Sequence, residues 1–526
     1  MDKLSKPGII AQNSIKFSAK KKSLLLFLFF VWLFPAMACT RSVKYPDAPP
    51  TLIPFTPQPA TQAAQESAAV IQGTEISENP VSTPAVDPSS APPAAPPILY
   101  YTQAGDTVPL ISVRFGVSPE EINSPEALPA TALLKPNLLL IIPNRLTATG
   151  PDGMLFPDSE VVFSPSAKDF DVEAFVAQTN GYLSTYSEWL SSGKTSGAQL
   201  IEKVAIENSV NPMLLLALLE YQSGWVYGQP STLAQTEYPI GYIEYSAKGL
   251  YHQLAWAVQQ LSIGYYGWRA GTLTELVFGN YESLRIAPTL NAGTVAVQYL
   301  FSKLYYSNQW AGNLYSPDGL PAMHESMFGN YWVRSQTVEP LYPPDITQPK
   351  LELPFNAGVL WSLTGGPHSV WGTNGALGAL DFAPASDENG CLESSEWITS
   401  AAPGLVVRVG PGLVMVDLDG DGYEQTGWNI LYLHVATKDK VVVGTYLKQD
   451  GRIGHPSCEG GTSTGTHLHF ARKYNGEWIL ADGPMPFVLS GWTAHNGLAA
   501  YKGNLTKDDQ IVTASQVGSY ESRITR

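Results

Sequence analysis

Residues 40–98 carry thirteen prolines among Ala, Thr, Ser and Gln, with little charge and few large apolar side chains. Such a stretch holds too little apolar surface to offset the entropy of ordering its backbone, so it reads as a disordered, partly polyproline tether. It divides the chain: what precedes it is too short for a domain, and every core must be built after it. As a coil the tether spans about 45 Å, and drawn out as polyproline nearly 180 Å. The 526 residues allow about three or four domains at roughly 100–200 residues each. Over the whole chain, 44% hydrophobic residues against 15% charged mean that most of it is globular.

Before the tether, Lys16, Lys20, Lys21 and Lys22 precede the apolar run LLLFLFFVWLF, Leu24 to Phe34. The run falls short of the roughly 20 residues that a bilayer span demands, and suits the h-region of a secretory signal. It ends in Ala36-Met37-Ala38-Cys39. Ala-x-Ala suits an ordinary signal-peptidase site, which would give simple secretion. Small residues before a Cys also resemble a bacterial lipobox, although Ala36 stands where Leu is usual; that resemblance implies lipidation of Cys39 and a membrane anchor. A retained anchor is the third reading, and all three place the body of the protein outside the cytoplasm.

Cys39, Cys391 and Cys458 are the three cysteines. An odd number permits at most one disulfide within the chain, and Cys391 with Cys458, both in the C-terminal region, is the expected pair in an oxidising compartment. Lys plus Arg is 31 against 46 Asp plus Glu. Without residues 1–38, which hold six Lys and one Asp, the mature chain is near −20. An acidic chain with no basic stripe excludes nucleic acid as the partner.

From Tyr100 to Asn144 a strand is expected at each end. Val108, Leu110, Ile111 and Phe115 suit one helix face between them, and Ile122 with Leu133 and Leu134 a second. Gly105-Asp106-Thr107, Phe115-Gly116-Val117-Ser118, Ile122 and Leu140-Ile141-Ile142-Pro143 resemble the LysM module. The resemblance implies binding of N-acetylglucosamine-containing glycan, with Gly105, Asp106 and Thr107 as contact residues. Asn137 stands where that family usually has Gly, and Asn tolerates the left-handed turn.

Residues 145–345 read as helical. Helices are expected over Ala198–Ser209, from Met213 after Asn211-Pro212, over Tyr251–Tyr266 and over Ala292–Tyr306. The stretch AIENSVNPMLLLALLEYQSGW resembles the first catalytic helix of lysozyme-like lytic transglycosylases. That family carries its acid directly before Ser-Gly, where this chain has Gln222. An amide has no proton to give near neutral pH. Glu220, two residues earlier, lies about 200° around the helix. A retained fold without the chemistry is therefore expected here.

Six of the eight histidines follow residue 360. In Gly465-Thr466-His467-Leu468-His469-Phe470, a strand would point both imidazoles to one side. Leu380-Asp381-Phe382 and Leu431-Tyr432-Leu433-His434-Val435 each set one polar residue in an apolar strand. A lone carboxylate in such a strand is costly unless paired or bound to metal. Two imidazoles and a carboxylate suit zinc with one position open for water.

These segments resemble the lysostaphin and beta-lytic family of zinc endopeptidases, which cut peptide bonds in peptidoglycan. The resemblance implies zinc on His368, Asp381 and His469, with His434 and His467 beside it as catalytic imidazoles. Position 377 is Leu where many members place the first His, so His368, thirteen residues before Asp381, is assigned on likeness to the beta-lytic branch. His455 and His495 fall outside the motif and are expected in loops or at the surface. Cys458, nine residues before His467, is near enough to be a ligand, but the site is already filled.

Asp417, Asp419 and Asp421 begin an EF-hand-like calcium loop, but Trp428 occupies position twelve and strands flank it, so a tight acidic hairpin turn is expected, with a structural calcium ion on the three carboxylates as the alternative.

The expected organisation is thus multidomain. A lipoprotein-like signal (1–38) and a tether (39–98) lead to a small α+β LysM module (99–144), a mainly-α lysozyme-like domain without its acid (145–345) and an antiparallel all-β metallopeptidase domain (346–526). The expected activity is zinc-dependent peptidoglycan endopeptidase. The alternatives are a non-enzymatic wall-binding scaffold or hydrolase activator, and a muramidase acting through the helical domain.

Overall fold

The computed structural model describes residues 95–343, 345–386 and 390–526; the expected signal, Cys39 and most of the tether lie outside the described residues. The chain enters the fold on β1 (Ile98–Tyr101), passes through α1 (Val108–Phe115) and returns on β2 (Leu139–Ile142), with Tyr100 opposite Leu140 in an antiparallel pair. Thr107 caps α1 by accepting from the Leu110 amide, and Gly116 ends it in a left-handed turn. Asn137 takes the expected positive φ of 66°.

One expectation for this module is corrected. The second helix is reduced to a 3-10 turn at Pro119–Glu121, because Pro125, Pro129 and Pro136 forbid helical hydrogen bonds in the segment that follows. The side chains of Asp106 and Thr107, expected at a glycan-contact surface with Gly105, are buried in the fold. The Asp106 carboxylate is 1% exposed and accepts from the Tyr100 hydroxyl at 2.6 Å, the Gln103 amide at 2.8 Å and Arg114 Nη1 at 2.8 Å. Thr107 is spent on the helix cap, and a Cβ on Gly105 would strike Arg269.

The helical region is built on α2 (Gly197–Asn208), α3 (Pro212–Ser223), α4 (Leu250–Arg269) and α5 (Ala292–Leu304), close to the expected spans. Ser196 and Gln199 form a capping box before α2, and Asn211 with Pro212 opens α3. Residues 212–219 of α3 are all buried, so this helix runs through the middle of its domain. Gly264 of α4 lies where a Cβ would come within 2.8 Å of the Ala296 backbone, letting α4 and α5 approach closely.

The C-terminal region folds as a nine-stranded antiparallel sheet. Its main strands are β3 (Trp361–His368), β4 (Ala379–Pro384), β5 (Gly404–Gly410), β6 (Leu413–Asp417), β7 (Trp428–Leu433) and β8 (Leu468–Tyr474). They lie in the order β5-β6-β7-β8-β4-β3, and Tyr446–Leu447 and Arg523–Ile524 close the two edges. The strands alternate between two cores. Val414, Val416, Ile430, Tyr432 and Phe470 face one core inside the domain. Leu413, Met415, Leu431, Leu433, Ala471 and Ala379 face the other, which is continuous with the helical core that holds Leu261 and Tyr265 of α4. The helices and the sheet therefore share one hydrophobic core, where separate modules had been expected.

Arg269 ties this body together. Its Nη2 lies 2.8 Å from Asp158 Oδ2 and 3.1 Å from Glu477 Oε2, and its Nη1 donates to the Ala104 carbonyl of the N-terminal module.

Candidate metal centre

Strand register builds the site. His469 on β8 stands directly opposite Asp381 on β4, and Leu433, the last residue of β7, stands opposite His469 on the other side. His434 follows at once with φ of 68°, an uncommon conformation for a non-glycine residue, and turns its ring toward the same place. His368 arrives at the end of β3, opposite Ala379. Because alternate residues share a face, His469 and Asp381 lie on the same side of the sheet as Ala471 and Ala379. The site and the helix-facing core thus occupy two ends of one sheet face.

The candidate ligand atoms converge. His368 Nε2 is 3.0 Å from His469 Nδ1 and 3.2 Å from Asp381 Oδ1, and His469 Nδ1 is 3.2 Å from the same oxygen. The three side chains are buried. The far nitrogen of each imidazole donates to a carbonyl: His368 Nδ1 to Gly366 at 2.8 Å, and His469 Nε2 to Val370 at 3.1 Å. With those tautomers fixed, two unprotonated ring nitrogens and a carboxylate oxygen face one point, which suits a cation. Tetrahedral zinc with bonds of about 2.0–2.1 Å separates its ligand atoms by about 3.3 Å, close to this spacing.

His434 and His467 complete the cluster, with ring centroids 4.4 Å apart. His434 Nδ1 donates to the Glu459 carbonyl at 2.8 Å, and His467 Nδ1 to the Gly465 carbonyl at 2.8 Å. Their Nε2 edges are left to the site; that of His467 is 3.7 Å from Asp381 Oδ1. Burial, and then the neighbouring His467, push His434 down to about 4, so it is neutral at neutral pH.

Cys391 and Cys458 form the expected disulfide. Cys458 is therefore no ligand. Ser463 links this bridge to the site, with Oγ 3.4 Å from Cys458 Sγ and 3.2 Å from His467 Nδ1.

Sequence reasoning missed Tyr501. Its ring stacks on His368 at 4.1 Å, and it is locked there by Gly366 N–H donating to its carbonyl at 3.1 Å and its own N–H donating to Pro367 at 3.2 Å. Its position in an irregular turn far down the chain carries no pattern that would have marked it.

The remaining candidates have structural explanations. Asp417 and Asp421 accept backbone N–H groups within the turn between β6 and β7, and Thr426 donates to Asp421 at 2.6 Å, so the turn needs no calcium to explain it. His455 lies in a loop, buried against Trp397, while His495 bonds Thr506. In the helical region, Glu220 accepts from the Val226 and Tyr227 amides at 2.8 and 3.0 Å, and Gln222 Oε1 accepts from the Tyr305 hydroxyl at 2.8 Å. Neither is a free acid in a cleft.

The antiparallel sheet presents a buried His-Asp-His set flanked by two further imidazoles, and likeness to curated relatives makes the chain a metalloendopeptidase, similar to protease LasA and to the beta-lytic enzymes. Protease LasA of Pseudomonas aeruginosa is 26% identical over 339 residues, 62% of this chain and 75% of that protein. The beta-lytic metalloendopeptidase of Lysobacter enzymogenes is 25% identical over 167 residues, 30% of this chain and 90% of that protein. The family model of the LasA N-terminal domain matches residues 154–341, the helical region. Among solved structures, the M23 metalloprotease pseudoalterin is 23% identical and overlays 32% of this chain on 96% of its own, with a TM-score of 0.27.

Proposed function

We propose that the chain is an extracytoplasmic bacterial cell-wall hydrolase that cuts peptide bonds of peptidoglycan stem peptides or cross-links with one zinc ion. The observation that carries this is the convergence of His368 Nε2, Asp381 Oδ1 and His469 Nδ1 within 3.0–3.2 Å, each imidazole with its far nitrogen already donating. His368, Asp381 and His469 would hold the zinc; when bound, it supplies Lewis acidity toward the scissile carbonyl and an acidified water. Two neutral imidazoles and one carboxylate leave such a site at net +1. His434, neutral at neutral pH, has the free Nε2 that a proton acceptor needs. His467, held by Gly465 and Ser463, presents the second Nε2, from which an N–H can hydrogen-bond developing negative charge once protonated.

The N-terminal module, with its LysM-like strand–helix–strand order, serves in this reading to retain the enzyme on wall glycan, through a surface other than residues 105–107. Lipidated Cys39 and the tether would hold the chain to the membrane while the folded body reaches the wall. The helical region contributes no glycan chemistry.

The test is mass spectrometry of fragments released from purified peptidoglycan, with and without a zinc chelator. New peptide amino termini on uncut glycan, lost on chelation, are expected. Cut glycan with intact peptides would move the chemistry to the helical region, and no release would favour a binding protein.

A further inference from the structure

The loop between β3 and β4, residues 369–378, joins the strand that ends in His368 to the strand that carries Asp381. It also supplies the Val370 carbonyl that fixes the His469 ring at 3.1 Å. The loop is closed on itself by Val370 N–H donating to Ala376 at 3.0 Å and by Gly375 N–H donating to Ser369 Oγ at 3.0 Å. Its outer tip is held by a different domain. Gln259 of α4 accepts from the Thr373 amide at 2.8 Å through Oε1 and donates to the Thr373 carbonyl through Nε2, a two-point grip on one residue's main chain. Contact is close enough that a Cβ on Gly372, whose φ is +61°, would overlap the Gln259 amide, and one on Gly375 would come within 2.5 Å of Ser262 Oγ. Gln259, Ser262 and Tyr266 follow at helical spacing on one face of α4. At the far end of that face the Tyr266 hydroxyl accepts from the Trp478 amide at 3.0 Å. The helix is therefore clamped to the sheet at two places, one of them the metal loop.

We propose that Gln259, a residue of the helical domain, is a positioning residue for the metal centre. Its amide holds the Thr373 main chain, the closed loop transmits that hold to Val370, and the Val370 carbonyl keeps His469 in the tautomer and orientation that turn Nδ1 to the metal. The proposal rests on the metalloendopeptidase reading of the site. It makes the helical domain a supporting part of the peptidase that acts through the loop. Outer-shell partners of metal ligands typically govern affinity by about 10–100-fold. Gln259 acts one step further out, so an effect of about tenfold is expected.

The experiment measures zinc affinity of the full chain by competition with a chromophoric chelator, comparing the unmodified protein with Gln259→Ala, Gln259→Glu and, as a control on the same helix, Gln260→Ala. Gln259→Ala is expected to bind zinc about tenfold more weakly with its melting temperature nearly unchanged. Gln259→Glu keeps the acceptor for the Thr373 amide but loses the donor, and should fall between. Gln260→Ala should match the unmodified chain. Equal affinity in Gln259→Ala and the unmodified chain would overturn the positioning role while leaving the metallopeptidase reading intact. An equal loss in Gln260→Ala would overturn it too, as general loosening of α4. Failure of the unmodified chain to take up one zinc, with no change on Asp381→Asn, would instead remove the reading beneath it.

Discussion

His469 and Asp381 face each other across adjacent antiparallel strands, with Nδ1 and Oδ1 3.2 Å apart. Such a pair needs no loop to bring it together; the register that buries Phe470 and Leu380 on one face delivers both groups on the other. Removing either should leave the sheet intact and remove the metal. Asp381→Ala and His469→Ala are each expected to lose stoichiometric zinc, seen by elemental analysis, and to release no peptide termini from peptidoglycan. Zinc retained at full occupancy in either variant would displace that residue from the ligand set.

His434 and His467 should separate binding from chemistry. Each is anchored through Nδ1 to a loop carbonyl, and neither belongs to the three converging atoms. His434→Ala and His467→Ala are expected to keep zinc while kcat falls by about 10²–10⁴, the usual worth of a positioned acid or base. Loss of zinc in these variants would make them ligands instead.

Gly365 offers a test that deletes no functional group. It lies opposite Asp381 across β3 and β4, where an added Cβ would come within 2.6 Å of Asp381 Oδ2 and 3.0 Å of its Cβ. Something must move, and the carboxylate is the nearest group. Gly365→Ala should weaken zinc binding by on the order of tenfold, as disturbed ligand orientation does. A chelator titration matching that of the unmodified chain would show that the strand absorbs the methyl.

How much of this was legible in the sequence follows from the range of each interaction. His467-x-His469, Asp381 in its apolar strand and His434 after Tyr432 were readable, because period-two alternation fixes which side a residue takes. His368 was reachable only through likeness to the beta-lytic branch, since loop length sets its distance from Asp381. Tyr501, the Val370 carbonyl and Gln259 were invisible, because each acts through the turn of a main chain or a contact between distant segments. The burial of Asp106 and Thr107 was hidden for the same reason. A Gly-Asp-Thr motif before a helix looks identical whether its carboxylate meets a ligand or, as here, Arg114 and the Tyr100 hydroxyl. The shared core was missed because Leu431, Leu433 and Met415 mark a second buried face without naming what buries it.

Arg269 should report on that shared core. It is buried with Asp158 and Glu477, and truncating it leaves two carboxylates in the interior without their cation. Breaking a buried pair by removing one partner costs about 3–5 kcal/mol. Arg269→Ala is expected to lower stability by that order in denaturant unfolding of the full chain. A change within about 0.5 kcal/mol, typical of surface sites, would mean that the junction is solvated in solution.

His324 sets a pH dependence whose sign is fixed by its surroundings. It is fully buried among Phe156, Phe328 and Tyr331, and neither ring nitrogen has a hydrogen-bond partner. Burial, and then the charge of Arg334, lower it to about 3. In the unfolded chain a histidine titrates near 6.5. Between these values the unfolded state holds a proton that the folded state refuses, so stability rises with pH from about 3 to about 6.5 and is flat above. Carboxylates titrate in the same range, so the contribution is read as a difference. The slope of unfolding free energy against pH, measured by urea titration between pH 4 and 6, should be smaller in His324→Leu than in the unmodified chain by close to one proton. Identical slopes would show that the ring is protonated in the folded state, which requires an acceptor at Nδ1 or Nε2, and Glu160, 3.9 Å from Nε2, is the group placed to become one.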